Sequence, residues 1–257
     1  MRIATWNVNS VKARLGNVTE WLDSAKPDVV LFQEIKCETA AFPLQAFQDL
    51  GYHCAVVGQK AYNGVALLSR EEPTDIITRL PGEPEDEQAR YVEATVGGIR
   101  IASLYLPNGN PVGTEKYPYK LRWMDRLKAH AASLLAQEIP FVLGGDYNVI
   151  PEARDVYDPA AWITDALFRP ETRAKFREIT HLGLVEAFRA VHPDADRAFT
   201  FWDYQAGAWP RDNGLRIDHF LLSPQAADRL VGCAIDKGPR GKEKASDHTP
   251  VVLELVA

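Results

Sequence analysis

Residues 141–148 read Phe141-Val142-Leu143-Gly144-Gly145-Asp146-Tyr147-Asn148. An apolar run passes through paired glycines and stops at a carboxylate and an amide two positions apart. The same shape recurs along the chain. Asn7 ends Ile3-Ala4-Thr5-Trp6, Glu34 ends Val29-Val30-Leu31-Phe32-Gln33, and Asp247-His248 precedes Thr249-Pro250-Val251-Val252-Leu253. Asp218 lies inside Arg216-Ile217-Asp218-His219-Phe220-Leu221-Leu222. Short apolar runs bounded by polar residues read as buried strands. In a sandwich, strand ends and their loops gather at one rim, where polar groups distant in sequence can converge on one ligand.

Working outward, Val11, Leu15, Val18 and Leu22 fall at helical spacing, with Pro27 beyond their end. Pro43 opens a short helix carrying Leu44, Phe47 and Leu50, which Gly51 stops. Strands are expected over 52–58, 64–69, 74–80, 90–96 and 99–106, the last two joined by the hairpin signal Gly97-Gly98. A loop over 107–118 leads to a helix over 119–137 with Trp123, Leu127, Leu134 and Leu135. The second series runs strand 140–145, an irregular segment, a helical region over 171–191, then strands near 199–202, 216–222, 231–236 and 250–256. Both halves open with strand and helix and then turn strand-rich. That order predicts an α/β fold of two packed sheets with helices outside, and not a doubly wound parallel sheet. No composition shift marks a linker, so residues 1–257 are read as a single domain.

Composition narrows the class. Apolar residues make up 46% and charged residues 25%, an ordinary balance for a globular chain. The chain starts on a strand-like run with no charged-then-apolar leader, and no apolar stretch nears the roughly 18–20 residues of a spanning helix. Cys37, Cys54 and Cys233 have no CxxC spacing and read as reduced thiols, so a cytoplasmic location is expected. A net charge of −6 counts against coating nucleic acid through bulk electrostatics. It leaves local phosphate binding open, because clustered carboxylates are what a hard cation needs.

A lone Asp or Asn after a strand is ordinarily a turn former or helix cap. Asp218 resists that reading, since a carboxylate inside an apolar run costs several kcal/mol unless partnered; His248 is the candidate partner. Together the residues form a carboxylate, amide and histidine set without GxSxG, HExxH or P-loop sequences. Such a set suits phosphodiester hydrolysis. Hard oxygens hold Mg²⁺, a second carboxylate takes a proton from water, and a histidine held by an aspartate donates to phosphate oxygens.

Thr5-Trp6-Asn7-Val8-Asn9-Ser10, Gln33-Glu34-Ile35-Lys36, Gly58-Gln59-Lys60-Ala61-Tyr62-Asn63-Gly64-Val65-Ala66, Gly144-Gly145-Asp146-Tyr147-Asn148 and Ser246-Asp247-His248 occur in this order. The series resembles the signature blocks of the exonuclease III branch of the endonuclease/exonuclease/phosphatase superfamily. The resemblance implies a four-layer α/β sandwich, with two mixed β-sheets face to face and helices outside. It also implies Glu34 as principal metal ligand with Asn7 and Asp247 close by, and Asn9 in the outer shell. It implies Asp146 as the residue activating water, Asn148 at the phosphate, and His248, oriented by Asp218, as transition-state stabiliser. Tyr105 and Asn108 match the family's phosphate-contacting tyrosine and asparagine. The activity implied is cleavage 5′ to abasic sites and 3′→5′ removal of nucleotides or blocking groups from duplex DNA by a monomer, with Mg²⁺ as cofactor and Mn²⁺ as the alternative.

Phe199-Thr200-Phe201-Trp202-Asp203-Tyr204 resembles the aromatic segment that repair members set against the abasic sugar, and Trp202 is expected to line that pocket. Arg211, Arg216, Lys237, Arg240, Lys242 and Lys244 are candidates for DNA phosphate contact. Asn9 stands where some relatives carry Asp. The 109–114 loop lacks the arginine that some relatives insert into DNA, which leaves the balance of endonuclease and exonuclease open. The competing readings are a phosphatase of lipid or inositol headgroups and a non-catalytic DNA-binding module.

Overall fold

The computed structural model describes residues 1–256. The strands are β1 (Arg2–Asn7), β2 (Val29–Gln33), β3 (His53–Val57), β4 (Val65–Ser69), β5 (Thr74–Ile77) and β6 (Tyr91–Val96), followed by β7 (Ile99–Tyr105), β8 (Phe141–Asp146), β9 (Val185–Glu186), β10 (Asp218–Leu222), β11 (Leu230–Ile235) and β12 (Val251–Leu255). The helices are α1 (Leu15–Ala25), α2 (Leu44–Gln48), α3 (Lys116–Leu135), α4 (Pro159–Trp162), α5 (Pro170–Thr180), α6 (Ala187–Val191) and α7 (Pro224–Ala227). One sheet has the order β11-β12-β1-β2-β4-β3 and the other β5-β6-β7-β8-β10-β9. Each holds one parallel pair near its centre, β1 with β2 and β7 with β8, among antiparallel neighbours. Both sheets are therefore mixed, as expected.

Alternation along each strand sorts the core into layers. Ile3, Val29, Leu31, Val65 and Leu67 from the first sheet meet Val92, Ala94, Ile101, Val142, Phe220 and Leu222 from the second. The intervening residues point outward. Ala4, Trp6, Val30 and Phe32 pack under α1 and α2 with Val18, Leu22 and Phe47. Leu104, Phe141, Leu143 and Leu221 pack under α3 and α5 with Trp123, Leu127 and Phe176. Helix, sheet, sheet and helix give the four layers. No helix among the described residues is long and apolar enough to cross a membrane.

Several boundaries moved. The first helix starts at Leu15, because Ser10 to Arg14 form turns at the end of β1. The helical region over 171–191 breaks into α5, the two-residue β9 and α6. Residues 199–202 form no strand and make only two isolated bridges, from Phe201 to Leu215 and from Phe201 to His248. The hairpin at Gly97-Gly98 stands, with φ of 56° and 75°, the left-handed pair that a two-residue turn demands.

Candidate active site

The inward-facing series along each central strand ends on a polar group. On β1 the series is Ile3, Thr5, Asn7; on β2 it is Val29, Leu31, Gln33, with Glu34 next; on β8 it is Val142, Gly144, Asp146. β10 begins with Asp218 and continues inward through Phe220 and Leu222. The ladder register sets Asp218 opposite Asp146 and Tyr105 beside Asp146. The space between the sheets thus changes from apolar to polar toward one rim. Gln33 bonds Thr5 in its own sheet and Ser103 in the other, and Ser103 donates back to the Phe32 carbonyl. The two glycines before Asp146 are required by packing. A Cβ on Gly144 would lie 2.5 Å from Phe220 and 2.7 Å from Leu31, and one on Gly145 would lie 1.9 Å from the Leu104 carbonyl.

At this rim lies a cavity of about 290 Å³ lined by Glu34, Tyr105, Asn108, Asp146, Asn148, Asp247 and His248, with Trp162, Leu167, Phe201, Leu215 and Ile217 as an apolar wall. Ligand atoms of Glu34, Asp146 and His248 lie within 4.8 Å of one another, a grouping suited to a metal ion. Asn7 Nδ2 donates to Glu34 Oε1 at 2.8 Å and to Asp146 Oδ2 at 2.9 Å, bridging the carboxylates. Its Oδ1 accepts from the Asn9 backbone. Asp146 Oδ1 accepts the Asn148 N–H at 2.9 Å. His248 Nδ1 faces Asp218 Oδ2 at 2.9 Å, which leaves Nε2 3.6 Å from Asp146 Oδ2. Asn9 Nδ2 donates to Asp247 Oδ1 at 3.2 Å, and Asn108 Nδ2 to Asn148 Oδ1 at 3.2 Å. Glu34, Asn9 and Asn148 all have left-handed backbone, φ 49°, 44° and 47°. Asparagine tolerates that conformation, whereas for Glu34 it is local strain held by the surrounding fold.

Burial sets the electrostatics. Burial pushes the Asp146 carboxyl up; His248 pulls it down and Asp218 raises it again, with a result of about 7. Burial would lower the His248 imidazolium, but Asp218 and then Asp146 outweigh it and hold the ring protonated up to about 10. Glu34 is also buried, which raises it, yet Lys36 and the Asn7 amide carry it below the ordinary carboxylate range. Lys36 Nζ lies 2.9 Å from Glu34 Oε2 and donates to Asn9 Oδ1. Tyr105 is driven well above its usual range by burial and then by Glu34 and Asp146, so its phenol stays protonated. The cluster can hold a cation, accept a proton at Asp146 and donate one at His248 Nε2.

A family model described as the endonuclease/exonuclease/phosphatase family matches residues 4–248. The chain belongs to this family. It is similar to exodeoxyribonuclease III of Haemophilus influenzae, 32% identical over 266 residues spanning 99% of this chain and 100% of that one. An AP endonuclease from Archaeoglobus fulgidus has the same fold, with TM-score 0.96, 40% identity and 100% of both chains covered. So does the 3′ phosphatase NExo from Neisseria, bound to product DNA hairpin, with TM-score 0.97, 38% identity and 100% of both chains covered.

Two residues expected at the site of this endonuclease/exonuclease/phosphatase family member lie elsewhere. Trp202 does not line the cavity: it is fully buried, packs with Phe199 and Ala208, and donates from Nε1 to Asp212 Oδ1 at 2.9 Å. Phe201 takes that place, its ring 5.0 Å from the His248 ring. Arg216 is 1% exposed and cannot reach a DNA phosphate. Its guanidinium holds Asp155 at 2.8 Å and Glu186 at 3.0 Å. Truncation of Arg216 to Ala leaves both carboxylates without their central cation, so a stability loss of about 3–5 kcal/mol is expected in denaturant unfolding.

Lys120 went unnoticed in the sequence. It is fully buried beneath the site and donates from Nζ to the carbonyls of Asn108 and Asn148, at 3.1 and 2.6 Å. Its signal was available: Tyr117, Lys120, Trp123, Leu127 and Leu134 share the buried face of α3. Asp165, which binds the Asn110 amide at the cavity edge, carried no such signal.

Proposed function

We propose that this chain is a divalent-metal-dependent DNA repair phosphodiesterase. It cleaves 5′ to abasic sites to leave a 3′-hydroxyl and removes nucleotides or blocking groups from 3′ ends. The observation that carries the reading is the Glu34, Asp146 and His248 cluster, backed by Asp218, beside an apolar wall of Phe201, Leu215 and Ile217. Relatives spanning the whole chain are named for acting on DNA, which favours DNA over an inositol or lipid headgroup.

The cavity fits a hard cation, since Glu34 and Asp247 offer carboxylate oxygens and His248 Nε2, which carries a proton, is not a ligand. Glu34 and Asp247 would hold it, and Asn7 would join them by turning its amide oxygen, which here accepts from the Asn9 backbone, toward Glu34; Mg²⁺ is preferred and Mn²⁺ is the alternative. When bound, the ion supplies Lewis-acid polarisation of the phosphate and neutralises developing charge. Asp146 accepts the proton of the attacking water as the new O–P bond forms. The P–O3′ bond opposite breaks, and the departing oxygen takes a proton from water to leave as a hydroxyl. His248, oriented by Asp218, donates from Nε2 to a phosphate oxygen whose charge is growing. Tyr105, Asn108 and Asn148 position the phosphate. The apolar wall of Phe201, Leu215 and Ile217 suits a bare deoxyribose over one that carries a polar base. We assign residues 1–257 to one catalytic domain, working as a monomer in the cytoplasm on double-stranded DNA.

A duplex with one abasic analogue, labelled at its 5′ end, tests the reading. Incubation with Mg²⁺ should give a single product ending 5′ to the lesion in a 3′-hydroxyl, and EDTA should abolish it. Uniform laddering from the 3′ end would place exonuclease action first. No cut with Mg²⁺ or Mn²⁺, together with hydrolysis of a soluble phosphoinositide, would reverse the assignment.

A further inference from the structure

We infer that the cleft lined by Arg14, Tyr204, Arg240, Lys242 and Lys244 is a second phosphate subsite, which takes a backbone phosphate of the duplex away from the one being cut. The inference rests on the DNA reading above. The cleft joins the active site through one hydrogen-bonded chain. Tyr204 Oη accepts from Arg14 Nη2 at 2.9 Å and from Asn9 Nδ2 at 3.2 Å, and donates to the Ala245 carbonyl. The same Asn9 amide bonds Asp247, which lines the catalytic cavity. Each strand of a duplex presents one phosphate about every 3.4 Å of helix axis. A duplex seated on the catalytic cavity therefore lays further phosphates over the surface at its edge.

The charge in this cleft is unbalanced. Arg240 is 7% exposed, its guanidinium centred 5.5 Å from the Tyr204 ring and 5.4 Å from the Trp209 ring. Nη2 donates to the Trp202 carbonyl at 3.0 Å, and Nε is buried with no partner. Asp203 and Asp247 attract it only from beyond ion-pair distance. Among the described residues, Arg14 and Lys244 have no ion pair either, and Lys242 alone is paired, with Glu20 at 2.7 Å. A buried cation without a counterion is costly. Here the arginine is fixed by two aromatic rings behind half-buried Arg14 and exposed Lys242 and Lys244, so its charge adds to a cleft whose outer cations can meet an anion. In a chain of net charge −6 this cleft is a local exception.

The test is steady-state cleavage of the abasic duplex in Mg²⁺ across a salt series. Lys244→Asn is the first variant, because its φ of 54° suits asparagine and Lys244 makes no side-chain bond that would be lost. Arg14→Gln is the second. Lys26→Gln, an exposed lysine on the turn that leads into the start of β2, is the charge-matched control. Each cleft variant should raise KM about threefold to tenfold at low salt. Each should also flatten the slope of log KM against log salt by about 0.9, the value of one lost phosphate contact. KM and slope equal to those of Lys26→Gln in both variants would overturn the subsite while leaving the reaction intact. A wild-type protein that does not cut the duplex would overturn the DNA reading first, and this inference with it.

Discussion

Asp146→Asn should lower cleavage of the abasic duplex by between about a hundredfold and ten-thousandfold, the range for loss of a positioned general base. The substitution keeps the size of the side chain and an oxygen for the Asn148 N–H, which Asp146 Oδ1 accepts at 2.9 Å. What it removes is the acceptor of the water's proton, together with the acceptor of the Asn7 Nδ2 bond, and that amide is free to turn to Glu34 alone. The folded protein should not suffer. An acid held at about 7 by burial, against an ordinary value of 3.8, ionises in the unfolded chain before it does in the folded one. Stability therefore falls as pH rises between these values and stays lower above them. The amide has no such penalty, so at pH 8 in EDTA the variant should have a Tm equal to or above the wild type. Activity lost with Tm retained places Asp146 in the chemistry. Near-full cleavage by the variant would remove it from that role.

The architecture was legible because strand periodicity and burial coincide. Val29 to Phe32 is apolar on both faces, as a central strand covered by a sheet on one side and helices on the other must be. The site was legible for a related reason: a polar residue that ends an inward-facing series has nowhere to go but the rim, which holds for Asn7, Asp146 and Asp218. Phe201 and Trp202 show where such reasoning stops. Adjacent residues of an extended segment face opposite ways, and only the phase decides which ring meets the cavity. That phase comes from the bridge of Phe201 to Leu215 and His248, contacts 14 and 47 residues away in sequence. Arg216 misleads for the same reason. Its partners Asp155 and Glu186 lie 61 and 30 residues off, so a structural ion cluster looks locally like a basic residue free to meet DNA.

The histidine pair gives the other large effect. Asp218→Asn should reduce cleavage at pH 8 by about a hundredfold, within the range for general acid–base groups, and move the alkaline limb of the rate profile to lower pH. His248 owes its proton to its neighbours. Burial disfavours the imidazolium, and Asp218, bonded to Nδ1 at 2.9 Å, is the first of the groups that outweigh it, ahead of Asp146. Removing that carboxylate lets burial act against only part of the opposing charge, so the ring loses its proton below about 10. The sign follows directly. A donor raised in the folded protein works below its pKa and fails above it, so lowering the pKa removes activity from the alkaline side. The deficit of the variant should accordingly narrow from pH 8 toward pH 6, where the ring is protonated in both proteins. A divalent cation shifts both profiles in one direction, and the comparison between them survives. If Asp218 served only to pack β10 against β8, the loss would be the same at every pH. A constant deficit would thus reassign Asp218 from orienting His248 to holding the strand.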